Sequence, residues 1–183
     1  MTKRISIARR RQNCWCFLST LAVLFGGTAL ASAREPLIFI GSNTTTTTIF
    51  SPPTEIGCPK TSVSTADFGV GTDRVLGRYT FTAEECFNPN MTPIDITLGF
   101  FTLTTADGST ITGNFSGTGQ FDDTKTTIFY AVSGFVTGGT GRFKNVTTGS
   151  VAWLGQGTFI SSDTAKGSNT VCAGYLNFGS SKD

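Results

Sequence analysis

An all-β, antiparallel closed β-barrel is the fold class that three observations in the sequence predict. After residue 34 no apolar 3.6-residue period lasts three turns, so no helix is supported. Thr, Phe, Val and Ile dominate instead, spaced by glycine, which is strand composition. Several strands carry apolar residues on both faces. A sandwich and a barrel both suit short antiparallel strands, but two apolar faces favour the barrel. One face fills or lines its interior while the other packs on a neighbour or another subunit, and closure leaves no edge strand exposed.

Residues 1–33 read as a secretory signal peptide. Lys3, Arg4, Arg9, Arg10 and Arg11 form a basic leader, Phe17–Leu30 an apolar run, and Ala31-Ser32-Ala33 a small-residue cleavage pattern. The run is short and glycine-interrupted for a bilayer core of ~30 Å. An uncleaved anchor is the alternative. Gln12 and Asn13 follow the arginines where a twin-arginine signal turns apolar, so ordinary secretion is favoured. The mature chain then starts at Arg34, is secreted or periplasmic, and has no membrane span.

Removing the leader changes the charge. The whole chain has 14 Lys+Arg and 12 Asp+Glu, a net +2. Without residues 1–33 it has 9 basic against 12 acidic residues, a net −3 with no basic cluster. Nucleic acid is thereby excluded as a partner. The chain has no histidine, which excludes Ser-His-Asp and Cys-His catalysis, HExxH zinc sites and imidazole switches.

In the mature chain Leu37–Ile40 is a short apolar run, and Gly41–Pro59, with Thr44–Thr48, reads as loop or extended edge. Residues 34–60 are therefore expected to be an N-terminal extended segment and 61–183 the barrel domain. Val75–Ala83 alternates, with Val75, Tyr79, Phe81 and Ala83 on one face and Arg78, Thr80 and Thr82 on the other. Ile94–Thr105 and Ser109–Phe121 flank Asp107-Gly108, a hairpin signal because that dipeptide tolerates positive φ. In the second arm Gly113, Gly117 and Gly119 share a parity with Ile111, Phe115 and Phe121, predicting sharp coiling or a close backbone approach. Thr126–Val136 is apolar on both faces. Gly138-Gly139-Thr140-Gly141 is a tight turn, and Gly149–Ile160 and Thr170–Phe178 are the last strands.

Cys14 and Cys16 leave with the leader; Cys58, Cys86 and Cys172 remain. In an oxidising compartment two should pair. Cys58 with Cys86 is favoured because both lie beside proline-containing loops; Cys86 with Cys172 competes. Cys172, inside an apolar strand pattern, then behaves as a small buried hydrophobe. Three scattered cysteines without histidine make no zinc site, so no metal is expected.

The segment from Ile128 to Val151 contains a strand, then Gly138-Gly-Thr-Gly-Arg-Phe143, then a small residue and a glycine. It resembles the barrel of allene oxide cyclases and plant dirigent proteins, and segments of secreted bacterial proteins. The resemblance covers about 25 residues closely and roughly 110 more through the strand pattern. It implies about eight strands, an apolar cavity, no cofactor and a dimer or trimer. Thr148 stands where that family usually has glycine, and Gly149 follows one residue later. None of the family's acidic and polar cavity residues is carried over to a position here. Gly139, Gly141 and Phe143 are expected to form a structural turn with an anchoring aromatic.

Glycine-rich Gly138–Gly141 lacks the Lys-Ser/Thr of a P-loop and precedes a strand, so it is no phosphate cradle. Glu84-Glu85 and Asp122-Asp123 read as solvated loops beside strand ends, since adjacent strand residues point to opposite faces. Arg78 and Asp95, charged within apolar strands, and Tyr130 are the candidate catalytic residues, because an inward charge must be paired or functional. Tyr79 and Tyr175 are candidate ligand-binding donors. Asn43, Asn90, Asn114 and Asn145 begin Asn-x-Ser/Thr triplets, which arise easily in a Thr-rich chain. The leading expectation is a secreted barrel binding a small apolar ligand in its interior. The alternatives are a cofactor-free isomerase/cyclase or dirigent-type stereo-directing protein, and a structural or adhesive envelope protein that exposes an apolar patch for assembly.

Overall fold

The computed structural model describes residues 35–51 and 57–179; the leader, residues 1–33, lies outside them. Eight strands run in order: β1 (Leu37–Phe50), β2 (Val63–Asp73), β3 (Gly77–Asn88), β4 (Ile94–Thr105), β5 (Thr110–Phe121), β6 (Thr127–Gly139), β7 (Val146–Phe159) and β8 (Thr164–Phe178). Each pairs antiparallel with the next, and β8 closes on β1 from Leu37↔Leu176 to Thr48↔Thr164. The result is a closed up-and-down barrel.

Residues 34–60 are not an extended segment outside the barrel. Leu37–Phe50 is one continuous 14-residue strand, hydrogen-bonded to β2 and β8. Its threonines misled because they are polar, yet β-branched side chains suit a pleated backbone. Thr45 and Thr47 point inward, while Thr44, Thr46 and Thr48 are exposed. Strand β2 was not anticipated either. Its inward parity is Val63, Thr65, Asp67, Gly69, Gly71 and Asp73, whereas Phe68 and Val70 are 57 % and 50 % exposed. The usual apolar-in, polar-out alternation is inverted there.

The other strands follow their sequence signals, with β3, β6, β7 and β8 extended at one end. Tyr79, Phe81 and Ala83 are buried and face inward as expected, but Val75 precedes β3 and is exposed while Leu76 is buried. The Asp107-Gly108 hairpin forms with Gly108 at φ +80°, and Asp107 Oδ1 accepts hydrogen bonds from Thr105 Oγ1 and Ser109 N. The glycine column of β5 is a close approach. A Cβ on Gly117 would lie 2.2 Å from the Ala131 carbonyl oxygen of β6 and 2.6 Å from Val132 Cα. Gly138 and Gly139 complete β6 and are not a turn. The chain turns at Thr140 into a 3-10 turn, Gly141–Phe143, with Gly141 at φ +56° and the Phe143 ring buried.

The barrel is solid at one end. Phe39, Leu76, Leu103, Ile111, Phe143, Val151 and Leu176 are all nearly inaccessible there. Above them Trp153 packs against Phe81, Phe101 and Phe115 with ring centroids 5.1–5.6 Å away. Asp73 ties this end together, its carboxylate accepting from Ile40 N at 2.8 Å and from Val75 N and Leu76 N at 2.6 Å. Asp73→Ala would leave three amides short of an acceptor in a buried setting. We expect a loss of about 2–3 kcal/mol in urea unfolding, with Asp73→Asn, which keeps one acceptor oxygen, losing less.

The opposite end carries the cysteine pair. The sulfurs of Cys58, in the β1–β2 connection, and Cys86, on β3, lie at disulfide distance, as the favoured pairing expected. Cys172 is free and buried, its sulfur accepting from Trp153 Nε1 at 2.9 Å.

Candidate functional site

The half of the barrel beyond Trp153 is not filled. It holds a cavity of about 90 Å³, several times the space one water needs. Most of its wall is apolar: Phe81, Phe87, Ile96, Phe115, Ile128, Val132, Trp153 and Phe159. The cavity persists because inward positions on β1, β2 and β8 carry small or short polar side chains. Thr45, Thr47, Thr65, Ala165 and Gly167 stand where large apolar residues would close it.

Two carboxyl groups enter this wall from adjacent strands. Thr65 is the register partner of Glu85, and Asp67 of Ala83, so Asp67 and Glu85 are diagonal neighbours on the inner face. They lie within hydrogen-bonding reach of one another, and Thr47 Oγ1 donates to Asp67 Oδ1. Each retains some accessible surface, and that surface faces the cavity. Burial raises the pKa of both. For Asp67 the hydrogen bonds from Thr47 and Glu85 partly offset it. For Glu85 the nearby Asp67 charge adds to it. Two desolvated carboxyl groups side by side cannot both ionise cheaply, so the pair favours holding one proton between them.

Tyr130 on β6 joins them. Gly155 makes room for its hydroxyl and for Asn169 Oδ1, since a Cβ there would lie 2.8 Å and 2.5 Å from those atoms. Burial, then the charges of Asp67 and Glu85, hold the Tyr130 hydroxyl protonated far above the usual phenol range. Asn169 Nδ2 donates to Asn43 Oδ1 at 2.6 Å. Among the described residues, four buried polar atoms close no hydrogen bond of ordinary geometry: Asn43 Nδ2, Thr65 Oγ1, Glu85 Oε2 and Asn169 Oδ1. Thr65 Oγ1 faces the Glu85 carboxyl without closing a bond to it.

The sequence candidates divide. Tyr130 lines the cavity. Arg78 is exposed and borders an outer groove with Val70 and Thr72, and Asp95 is exposed between inward Ile94 and Ile96. Strand alternation turns both away, so neither meets Tyr130. Tyr79 is buried at the solid end, its hydroxyl 3.5 Å from the Ser42 carbonyl oxygen, and Tyr175 is 45 % exposed on the outer wall. Neither lines the cavity. Asn43 points inward and is 4 % exposed, whereas Asn90, Asn114 and Asn145 are exposed.

Asp67 and Glu85 were missed. Glu85 is no solvated loop residue, because β3 runs on to Asn88. Its parity with Tyr79, Phe81 and Ala83 was the available signal. Asp67 carried none, lying in the strand with inverted pattern.

Because both carboxyls have folded pKa values above their ordinary 3.8 and 4.5, the unfolded chain releases protons that the folded chain retains. Their destabilising effect is absent below these values and grows as pH rises above about 4.5. Thermal unfolding from pH 5 to 8 should therefore show falling stability. Glu85→Gln should flatten that slope and gain about 1–3 kcal/mol at pH 8. Of the cavity-lining groups only Asp67, Glu85 and Tyr130 titrate. Among the described residues no group of three or more His, Cys, Asp and Glu could hold a metal ion.

No family model matches the chain, and no curated protein or solved structure shows significant similarity to it.

Proposed function

We propose that the protein is an exported barrel that binds a small, mostly apolar molecule in the open half of its interior. The observation that carries this reading is the unfilled cavity beyond Trp153, apolar on most of its wall with a few convergent polar groups. A core evolved only for stability would be packed to crystal-like density. Export is supported by the leader pattern and by the cysteine pair at disulfide distance. Among the described residues no helix is long and apolar enough to cross a membrane.

Calorimetric titration of the full chain with toluene tests the reading. Saturable one-to-one binding is expected, and Ala165→Phe, which fills the cavity from β8, should abolish it while leaving the β-sheet circular dichroism intact. No binding by the unsubstituted chain would overturn the proposal.

One observation favours a second reading, a cofactor-free isomerase or cyclase. A carboxyl pair that holds one proton beside Tyr130 can both give and take a proton in a mostly apolar cavity. The resemblance to allene oxide cyclase and dirigent barrels points the same way. Asp67, Glu85 and Tyr130 take the roles there, in place of Arg78 and Asp95.

A further inference from the structure

The cavity is short of hydrogen-bond donors. Asp67 and Glu85 bring two carboxyl groups side by side to its wall, and no lysine or arginine lines the cavity to balance a charge there. In the same patch Glu85 Oε2 and Thr65 Oγ1, the latter on a residue 3 % exposed, are buried and close no hydrogen bond of ordinary geometry. Carboxyl and hydroxyl groups left in this state are costly, and a ligand that supplies both positive charge and N–H groups relieves them.

We propose that the ligand class is a small amphiphilic amine, its ammonium group donating to the Asp67 and Glu85 carboxyl pair and its apolar body lying against Ile96, Phe115 and Ile128. This deepens the proposed function and rests on it. An ammonium group is compact and has three donors, matching the oxygens that meet from the adjacent strands β2 and β3. The aromatic faces of the wall add cation–π attraction once water is excluded. A divalent cation is a poorer fit, since it takes six or more oxygen ligands and only two carboxyl groups are present. An anionic ligand would be repelled by Asp67.

The test compares three probes of one size, toluene, benzyl alcohol and benzylamine, titrated calorimetrically into the full chain at pH 7.5. Benzylamine is expected to bind at least tenfold more tightly than benzyl alcohol. Asp67→Asn combined with Glu85→Gln should erase that preference, with an unchanged or raised melting temperature showing that the barrel is intact. Glu85→Gln alone, which keeps the shape and leaves the Asp67 carboxyl, should retain most of it. Toluene and benzyl alcohol binding as tightly as benzylamine would overturn the amine proposal while leaving the ligand-binding reading standing. Failure of all three probes would overturn both. A preference that survives the double substitution in a folded barrel would place the ammonium elsewhere and overturn the proposal too.

Discussion

Trp153→Ala is expected to lower the unfolding free energy by about 3–5 kcal/mol, the largest single effect of any substitution in the barrel. The indole is 2 % exposed and stands on β7 at the boundary between the solid end and the cavity. It contacts three phenylalanines from β3, β4 and β5, two of them edge-on, which is the favoured geometry for aromatic quadrupoles. It therefore joins strands that lie on opposite sides of the barrel. Truncation removes those contacts and extends the existing cavity downward, so the surroundings cannot collapse to fill the space. Its Nε1–H also loses the Cys172 sulfur as acceptor. Trp153→Phe keeps much of the ring area and should cost about 1–2 kcal/mol. Chemical denaturation of both variants measures this. A loss below 1 kcal/mol for alanine would mean that the aromatic cluster is not the keystone of the core.

Removing the Cys58–Cys86 link is expected to cost about 3.5 kcal/mol by the chain-entropy relation for a loop of this length. The two residues are 28 apart in sequence. The link joins the β1–β2 connection to β3, one residue from Glu85, so it acts at the cavity end and not at the solid end. Cys86 is fully inaccessible, so the substitution that tests the link without adding a buried hydroxyl is Cys58→Ala with Cys86→Ala. Its denaturant midpoint should fall while the slope rises, because the unlinked unfolded chain exposes more surface. An unchanged midpoint would show that the link contributes nothing to folding. The competing Cys86–Cys172 pairing is excluded by position, since Cys172 lies beneath Trp153 on β8.

How much of this was legible in the sequence depended on which face each strand buries. β3 to β7 put apolar residues on their inward parity, and the β4–β5 hairpin carries a glycine at positive φ, Gly108. Those strands could be read. β1 and β2 could not, because Thr45, Thr47, Thr65 and Asp67 face inward while Phe68 and Val70 face outward. Hydrophobic periodicity assumes an apolar interior, and it fails on the part of the cavity wall whose inward positions are polar. The same inversion that hid these strands makes the site. Arg78 and Asp95 were singled out because they interrupt apolar runs, yet simple alternation sends both to solvent. Glu85 was discounted because it follows Glu84, although adjacency in a strand places one of the pair inside.

Intermolecular nuclear Overhauser effects between bound toluene and the full chain test the central claim most directly, that the open half of the barrel takes an apolar ligand. Contacts are expected from the toluene ring to the methyl groups of Ile96, Ile128 and Val132, with none to the exposed side chains of Ile38, Ile40 or Leu154. Contacts confined to that outer wall, or no contact at any cavity-lining methyl at saturating toluene, would contradict it.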